Sequence, residues 1–123
     1  MLRMKAFVFC AGVIIFLASV AAAGVSTAVD KKKGRAAAQV ERGRAVYATS
    51  CGRCHGADGQ GHTRMAETVE PPDLSDAAWQ RQRSNARMIA SVTNGRGQMP
   101  AFSKRLLKQD IAAAVAYVRT LRR

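Results

Sequence analysis

Cys51-Gly52-Arg53-Cys54-His55 is the stretch on which the reading of this chain turns. Two cysteines three apart with a histidine directly after them form a c-type haem attachment pattern. Each thiol adds across one vinyl group of the porphyrin, and the two vinyls lie close enough for one helical turn to present both sulfurs. The next residue then points at the iron, which makes His55 the expected proximal ligand, held by its covalent neighbours. Two other readings compete. A structural zinc site needs four ligands with loop between the pairs. Cys51, Cys54, His55 and His62 supply four, but Cys54 and His55 are adjacent and strain that geometry. A thioredoxin-like redox pair needs a strand before it and a βαβ pattern around it, and neither is present.

At 123 residues the chain is one domain at most. Residues 1–28 read as a secretory signal. Arg3 and Lys5 form its charged start, an apolar run covers Ala6–Val25, and cleavage fits after Ala23 or Ala28. The run is also long enough to serve as an uncleaved membrane anchor. Cys10 sits inside it after Phe9 and belongs to the hydrophobic segment. Export to the periplasm would leave two cysteines exposed to oxidation unless something consumes them, and thioether bonds to haem do so. The formal charge is +12, and removing Arg3 and Lys5 with the leader leaves +10. Such a balance favours an anionic partner. Nucleic acid does not suit an exported protein, which leaves a protein with an acidic docking face or the membrane surface.

Residues 24–35 read as a weakly structured tether, with a basic linker at 29–35 ahead of a domain spanning 36–123. Helical spacing of Val40, Gly43 and Tyr47 predicts a first helix over about 36–50. Gly43 costs a helix about 1 kcal/mol against alanine, which is best explained by another helix crossing close to it. Gly56, Gly59, Gly61 and Pro71-Pro72 predict loop over 56–74. Ser84 is a natural cap for a helix carrying Met88, Ile89 and Val92, stopped by Asn94-Gly95. A final helix over about 108–121 buries Ile111, Ala114, Val115, Val118 and Leu121, with Tyr117 beside them. Lys108 is a poor cap, so its first turn is expected to fray. No segment alternates with period two. The domain is therefore expected to be all-α, and the single CxxCH makes it a single haem unit.

The order Gly43-x3-Tyr47-x3-Cys51-x2-Cys54-His55-Gly56, then Met99-Pro100, then Ala116-Tyr117-Val118-Arg119-Thr120-Leu121 resembles a class I cytochrome c. The resemblance covers about residues 36–121. It implies a small cytochrome c fold, with three main helices and loops wrapped around one covalently bound haem c and its iron. It also implies that the first and last helices cross near Gly43 and Tyr47, against Tyr117 and Leu121. By the same resemblance, a proline carbonyl after the CxxCH accepts the second imidazole N–H, and Pro71 or Pro72 would fill that role.

Met99 is the expected sixth ligand. It lies in a glycine-rich loop between the last two helices, and Pro100 restricts it to extended backbone. A thioether there stabilises ferrous iron and raises the potential. Its rival is His62, which follows the proximal segment and would have to double round the haem edge. Met65 follows the CxxCH too closely, and Met88 reads as helix core. Trp79 could pack on the porphyrin edge and donate to a propionate, or could be ordinary core. Arg81, Arg83 and Arg87 lie nearby, and one of them could pair with a propionate. With both axial sites filled, iron has no open position for substrate, which points to a non-enzymatic, monomeric one-electron carrier exchanging electrons with redox proteins. The alternatives are a dedicated subunit of a dehydrogenase or oxidase, and a haem enzyme or sensor with an open axial site.

Overall fold

The computed structural model describes residues 21–123. The leader and Cys10 therefore lie outside the described residues, apart from the leader's last turns from Ala21. The chain divides into two units, Met1–Gly34 and Arg35–Arg123. All regular elements described are helical, in the order α1 Ala21–Ser50, α2 Gly52–His55, α3 Ala66–Val69, α4 Ala77–Arg81, α5 Asn85–Asn94 and α6 Lys108–Thr120. One isolated antiparallel bridge joins Arg96 and Met99. The all-α expectation holds.

Helix α1 starts well before the expected residue 36, so the segment 24–35 is helical and not an irregular tether. Ala21–Ala23, Ala28, Ala36–Ala38 and the lysines between them are strong helix formers, and they outweigh Gly24 and Gly34. The side chains from Ala28 to Gln39 are all exposed, so this stretch of helix rests on local propensity without a buried face. Among the described residues no helix is long and apolar enough to cross a membrane.

Within the second unit, the expected close crossing is present. A Cβ on Gly43 would overlap the backbone carbonyl of Ala113 and touch Tyr117 Cβ at 3.0 Å, so only glycine lets α1 lie this close to α6. Next to the crossing, the rings of Tyr47 and Tyr117 pack with centroids 5.2 Å apart at 56°. Tyr47, Leu74, Met88, Val115 and Val118 form the buried centre, with Cys51, Trp79, Ile89, Val92, Tyr117 and Leu121 around it.

Ser84 caps α5 as expected, its hydroxyl accepting Arg87 N–H at 3.2 Å, and Gly95 ends the helix at φ +77°. Two short helices depart from the sequence reading. Within the expected loop, α3 forms one turn and closes on Glu70 in the left-handed region. Helix α4 is capped by Asp76, whose carboxylate accepts Ala78 N–H at 2.6 Å and Trp79 N–H at 3.2 Å. The first turn of α6 is formed despite the weak cap at Leu107. Asp110 places an acid there and pairs with Arg42 of α1 at 2.6 Å, which ties the turn down.

Candidate functional site

Helix α2 is a single turn fixed at both ends. Cys51 N–H donates to Tyr47 O at 2.9 Å, carrying the chain from α1 directly into the turn. Cys54 and His55 N–H both donate to Cys51 O, at 3.1 and 3.0 Å. The two thiols and the imidazole thus leave one helical turn. The exit is held as firmly. The buried Tyr47 hydroxyl donates to Gly56 O at 2.8 Å, Gly61 N–H to His55 O at 2.8 Å, and Thr63 Oγ1 to Cys54 O at 3.2 Å. Gly56, at φ +76°, makes the turn that brings these partners round. Burial, above all, pushes the Tyr47 hydroxyl's pKa upward and keeps it a donor.

Above this turn lies a cavity of about 1230 Å³, larger than the roughly 300–1,000 Å³ of an ordinary small-molecule pocket. Cys51, Cys54, His55, Pro72, Trp79 and Met99, the six residues singled out from sequence, all line it. Leu74, Val92, Val115 and Val118 supply apolar walls, together with Met88 and Phe102. His62 is exposed and does not line the cavity; it faces a small surface depression with Gly61, Arg64 and Glu67. Among the arginines near Trp79, Arg83 and Arg87 line the cavity and Arg81 does not. Met65 also reaches the lining, from the segment that follows the proximal turn.

The electrostatics of the turn match its burial. Desolvation, followed by the neighbouring Cys54, pushes the Cys51 thiol up to about 11, so it is protonated near neutrality. Among the described residues no three His, Cys, Asp or Glu side chains converge as a metal cluster, and His62 turns away from the cysteines. Burial lowers the pKa of His55 and favours neutral imidazole, while the Pro72 backbone opposes this as a hydrogen-bonding group. Pro72 has no N–H, so that group is its carbonyl. Nδ1 of His55 is buried without a hydrogen-bond partner. A buried imidazole with one nitrogen turned toward a carbonyl leaves the other available as a ligand.

These residues fit a c-type haem. Two thiols one turn apart, a neutral imidazole after them, a wide apolar chamber and a thioether in its lining are the donor set that group requires. Met99 belongs to a short excursion closed by paired hydrogen bonds with Arg96, each 3.0 Å. A Cβ on Gly95 would approach both Met99 O and Ala101 N at 2.8 Å, so this glycine is needed for the loop to fold back on itself.

Several residues at the site escaped the sequence reading. Phe102 is buried against the cavity, and Arg96 joins Arg83 and Arg87 in its lining, with Glu70 as an acid there. Gln80 is only 2% exposed, with its amide donating to Leu74 O at 2.8 Å and Val118 O at 2.9 Å. Asp76 ahead of Ala77-Ala78 was the available signal for α4; nothing local marks Gln80 as interior.

Residues 38–118 match the family model for cytochrome c oxidase, cbb3-type, subunit III. The CcoP subunit of the cbb3-type cytochrome c oxidase of Azospirillum brasilense is 37% identical over 91 residues, which cover 73% of this chain and 31% of that protein. The FixP subunit from Azorhizobium caulinodans is 34% identical over 82 residues, 66% of this chain and 27% of the relative. The chain thus spans about a third of the length of these curated relatives. Cytochrome c6 of Synechocystis sp. is 33% identical over 82 residues, 67% of this chain and 65% of that protein. Among solved structures, the KustC0563 c-type cytochrome superposes with a TM-score of 0.62 at 30% identity, covering 66% of this chain and 98% of that one.

Proposed function

The chain belongs to the cbb3-type cytochrome c oxidase subunit III family as a c-type cytochrome domain, and from that premise we propose that it transfers single electrons as a haem-carrying subunit of a respiratory oxidase. The observation that carries this reading is the convergence of Cys51, Cys54, His55 and Met99 on one cavity. Cys51 and Cys54 would hold the haem through thioethers, and His55 and Met99 would be its axial ligands. The Pro72 carbonyl would accept from the imidazole nitrogen that does not bind iron and orient the ring, and Trp79 would flank the cofactor. When bound, the haem supplies a one-electron couple. The protein's part is to keep both axial positions filled and water out, so that oxidation and reduction need little rearrangement.

The dedicated subunit displaces the free carrier as the leading reading because CcoP and FixP proteins recur among the relatives. The free carrier retains one point in its favour, the match to most of cytochrome c6. The domain acts as an electron relay rather than an enzyme, at the periplasmic face of the membrane. The arginines lining the cavity suit redox partners with an acidic docking face.

The test combines a spectrum with a separation. Protein purified from its native membrane should carry one covalent haem and show the red-end thioether–ferric band. It should also migrate with an oxidase on size exclusion. Migration alone as a small monomer would return the carrier reading, and a high-spin spectrum would place an open site on the iron.

A further inference from the structure

We propose that Arg119, outside the cavity, is the residue that positions the Trp79–Arg83 pair at its wall. This inference rests on the haem reading above. Arg119 lies on α6, yet its guanidinium spends its donors on the segment between α4 and α5. Nη1 donates to Gln80 O at 2.8 Å and to Gln80 Oε1 at 3.4 Å, Nη2 donates to Arg83 O, and Nε donates to Asn85 Oδ1 at 2.7 Å. All four acceptors are neutral oxygens, and no carboxylate takes part. A planar fork with this many fixed donors suits clamping a turn, which a lysine's point charge cannot reproduce.

What the clamp holds is the part of the cavity wall least able to hold itself. Helix α4 has five residues, too few to be stable alone. Asp76 fixes its first turn. Arg119 fixes its end by binding the carbonyls of Gln80 and Arg83, on either side of the bend into α5. Trp79 precedes the first of these carbonyls, and Arg83 carries the second. Arg83 in turn lies over the Trp79 ring, its Cζ 4.5 Å from the centroid, and donates to Trp79 O at 3.4 Å. Trp79 and Arg83 line the cavity, whereas Arg119 and Gln80 do not. Arg119 is therefore a positioning residue. Without it the end of α4 would lose its donors, and both the indole and the Arg83 charge would move relative to the cofactor.

Trp79 is the only tryptophan of the chain, so its emission reports on this wall alone. The experiment uses the haem-loaded protein and the variants Arg119→Met, Arg119→Lys and Asn85→Ala, with covalent haem first verified by pyridine haemochrome. Residual native-state Trp79 emission, quenched by haem at short range, should rise severalfold in Arg119→Met. It should rise less in Arg119→Lys, and least in Asn85→Ala, which gives up one acceptor and remains foldable if the others fail. The midpoint potential should also shift in Arg119→Met, and the shift should shrink when Arg83 is already Met. Lowered denaturation midpoints with unchanged native emission and potential would show that Arg119 is only a stabiliser, and the proposal would fall. Absence of covalent haem in the parent protein would instead overturn the reading on which it rests.

Discussion

The two sides of the cavity are built differently. The turn carrying Cys51, Cys54 and His55 is bound to its surroundings by Tyr47, Gly61 and Thr63, from α1 and from the loop that follows. The excursion carrying Met99 is closed mainly on itself through Arg96, and is joined to the rest by Phe102 and Ser103 N–H groups donating to Val92 and Thr93 carbonyls. One side is anchored throughout; the other is held where it leaves and rejoins α5 and, at its tip, by one long bond from Gln98 Nε2 to Thr68 O at 3.5 Å. On the proposed haem reading, the difference teaches that holding the haem and tuning it would be separable tasks, the first falling to the anchored turn and the second to the loop.

The largest effect should come from destroying the anchored side. Cys51→Ala with Cys54→Ala is expected to abolish covalent haem and cooperative folding together, because the buried centre is small and all five of its residues face the cavity. A well-folded apoprotein in circular dichroism melts at physiological temperature would erase the contrast. On the other side, Met99→Ala should leave haem attached and the fold in place while lowering the midpoint potential, as potentiometric titration would show. An unchanged potential would mean that a residue other than Met99 sets it, Met65 being the other non-core methionine in the lining.

Smaller changes sharpen the comparison. Tyr47→Phe removes the hydroxyl that satisfies Gly56 O in the interior, at a cost of roughly 1–3 kcal/mol in denaturant unfolding, with the potential nearly unaltered. Acid should act on the anchored side alone. Burial depresses the folded pKa of His55, and iron coordination in the haem-loaded protein would likewise hold its ring deprotonated, so the unfolded chain binds the extra proton first. The contribution of His55 is thus complete above about pH 6.5 and is lost as pH falls below that toward the depressed folded value. A thioether does not titrate, so Met99→Ala should show the same dependence of unfolding midpoint on pH as the parent. A different slope would tie the loop to the proximal proton.

How much of this was legible depended on how local each cause was. The helical turn around Cys51–His55, the Ser84 cap and the apolar faces of α5 and α6 are written in short stretches of sequence and are legible there. Gly43 was legible because a glycine inside a helical pattern demands a reason, and Ala113 supplies it. Helix α4 is too short to show a period, although Asp76 announces it. The helical run through 24–35 was hidden by glycine, serine and threonine, whose weak propensity the surrounding alanines override. Gln80 could not be read at all, since what makes a buried amide tolerable is two carbonyls, one of them on α6, that only the fold brings to it.

The meeting of Gly43 with Ala113 has a consequence for the order in which the protein is made. The two residues stand near opposite ends of the domain, and a nascent or translocating chain delivers the first long before the second. The fold cannot close until its last helix has emerged. Until then Cys51 and Cys54 stand in a chain that still lacks Val115 and Val118, the walls that α6 brings to the cavity. Closure of the last helix therefore divides the protein's early life in two, an open interval in which the thiols can be reached and a closed one in which the cofactor's place is walled.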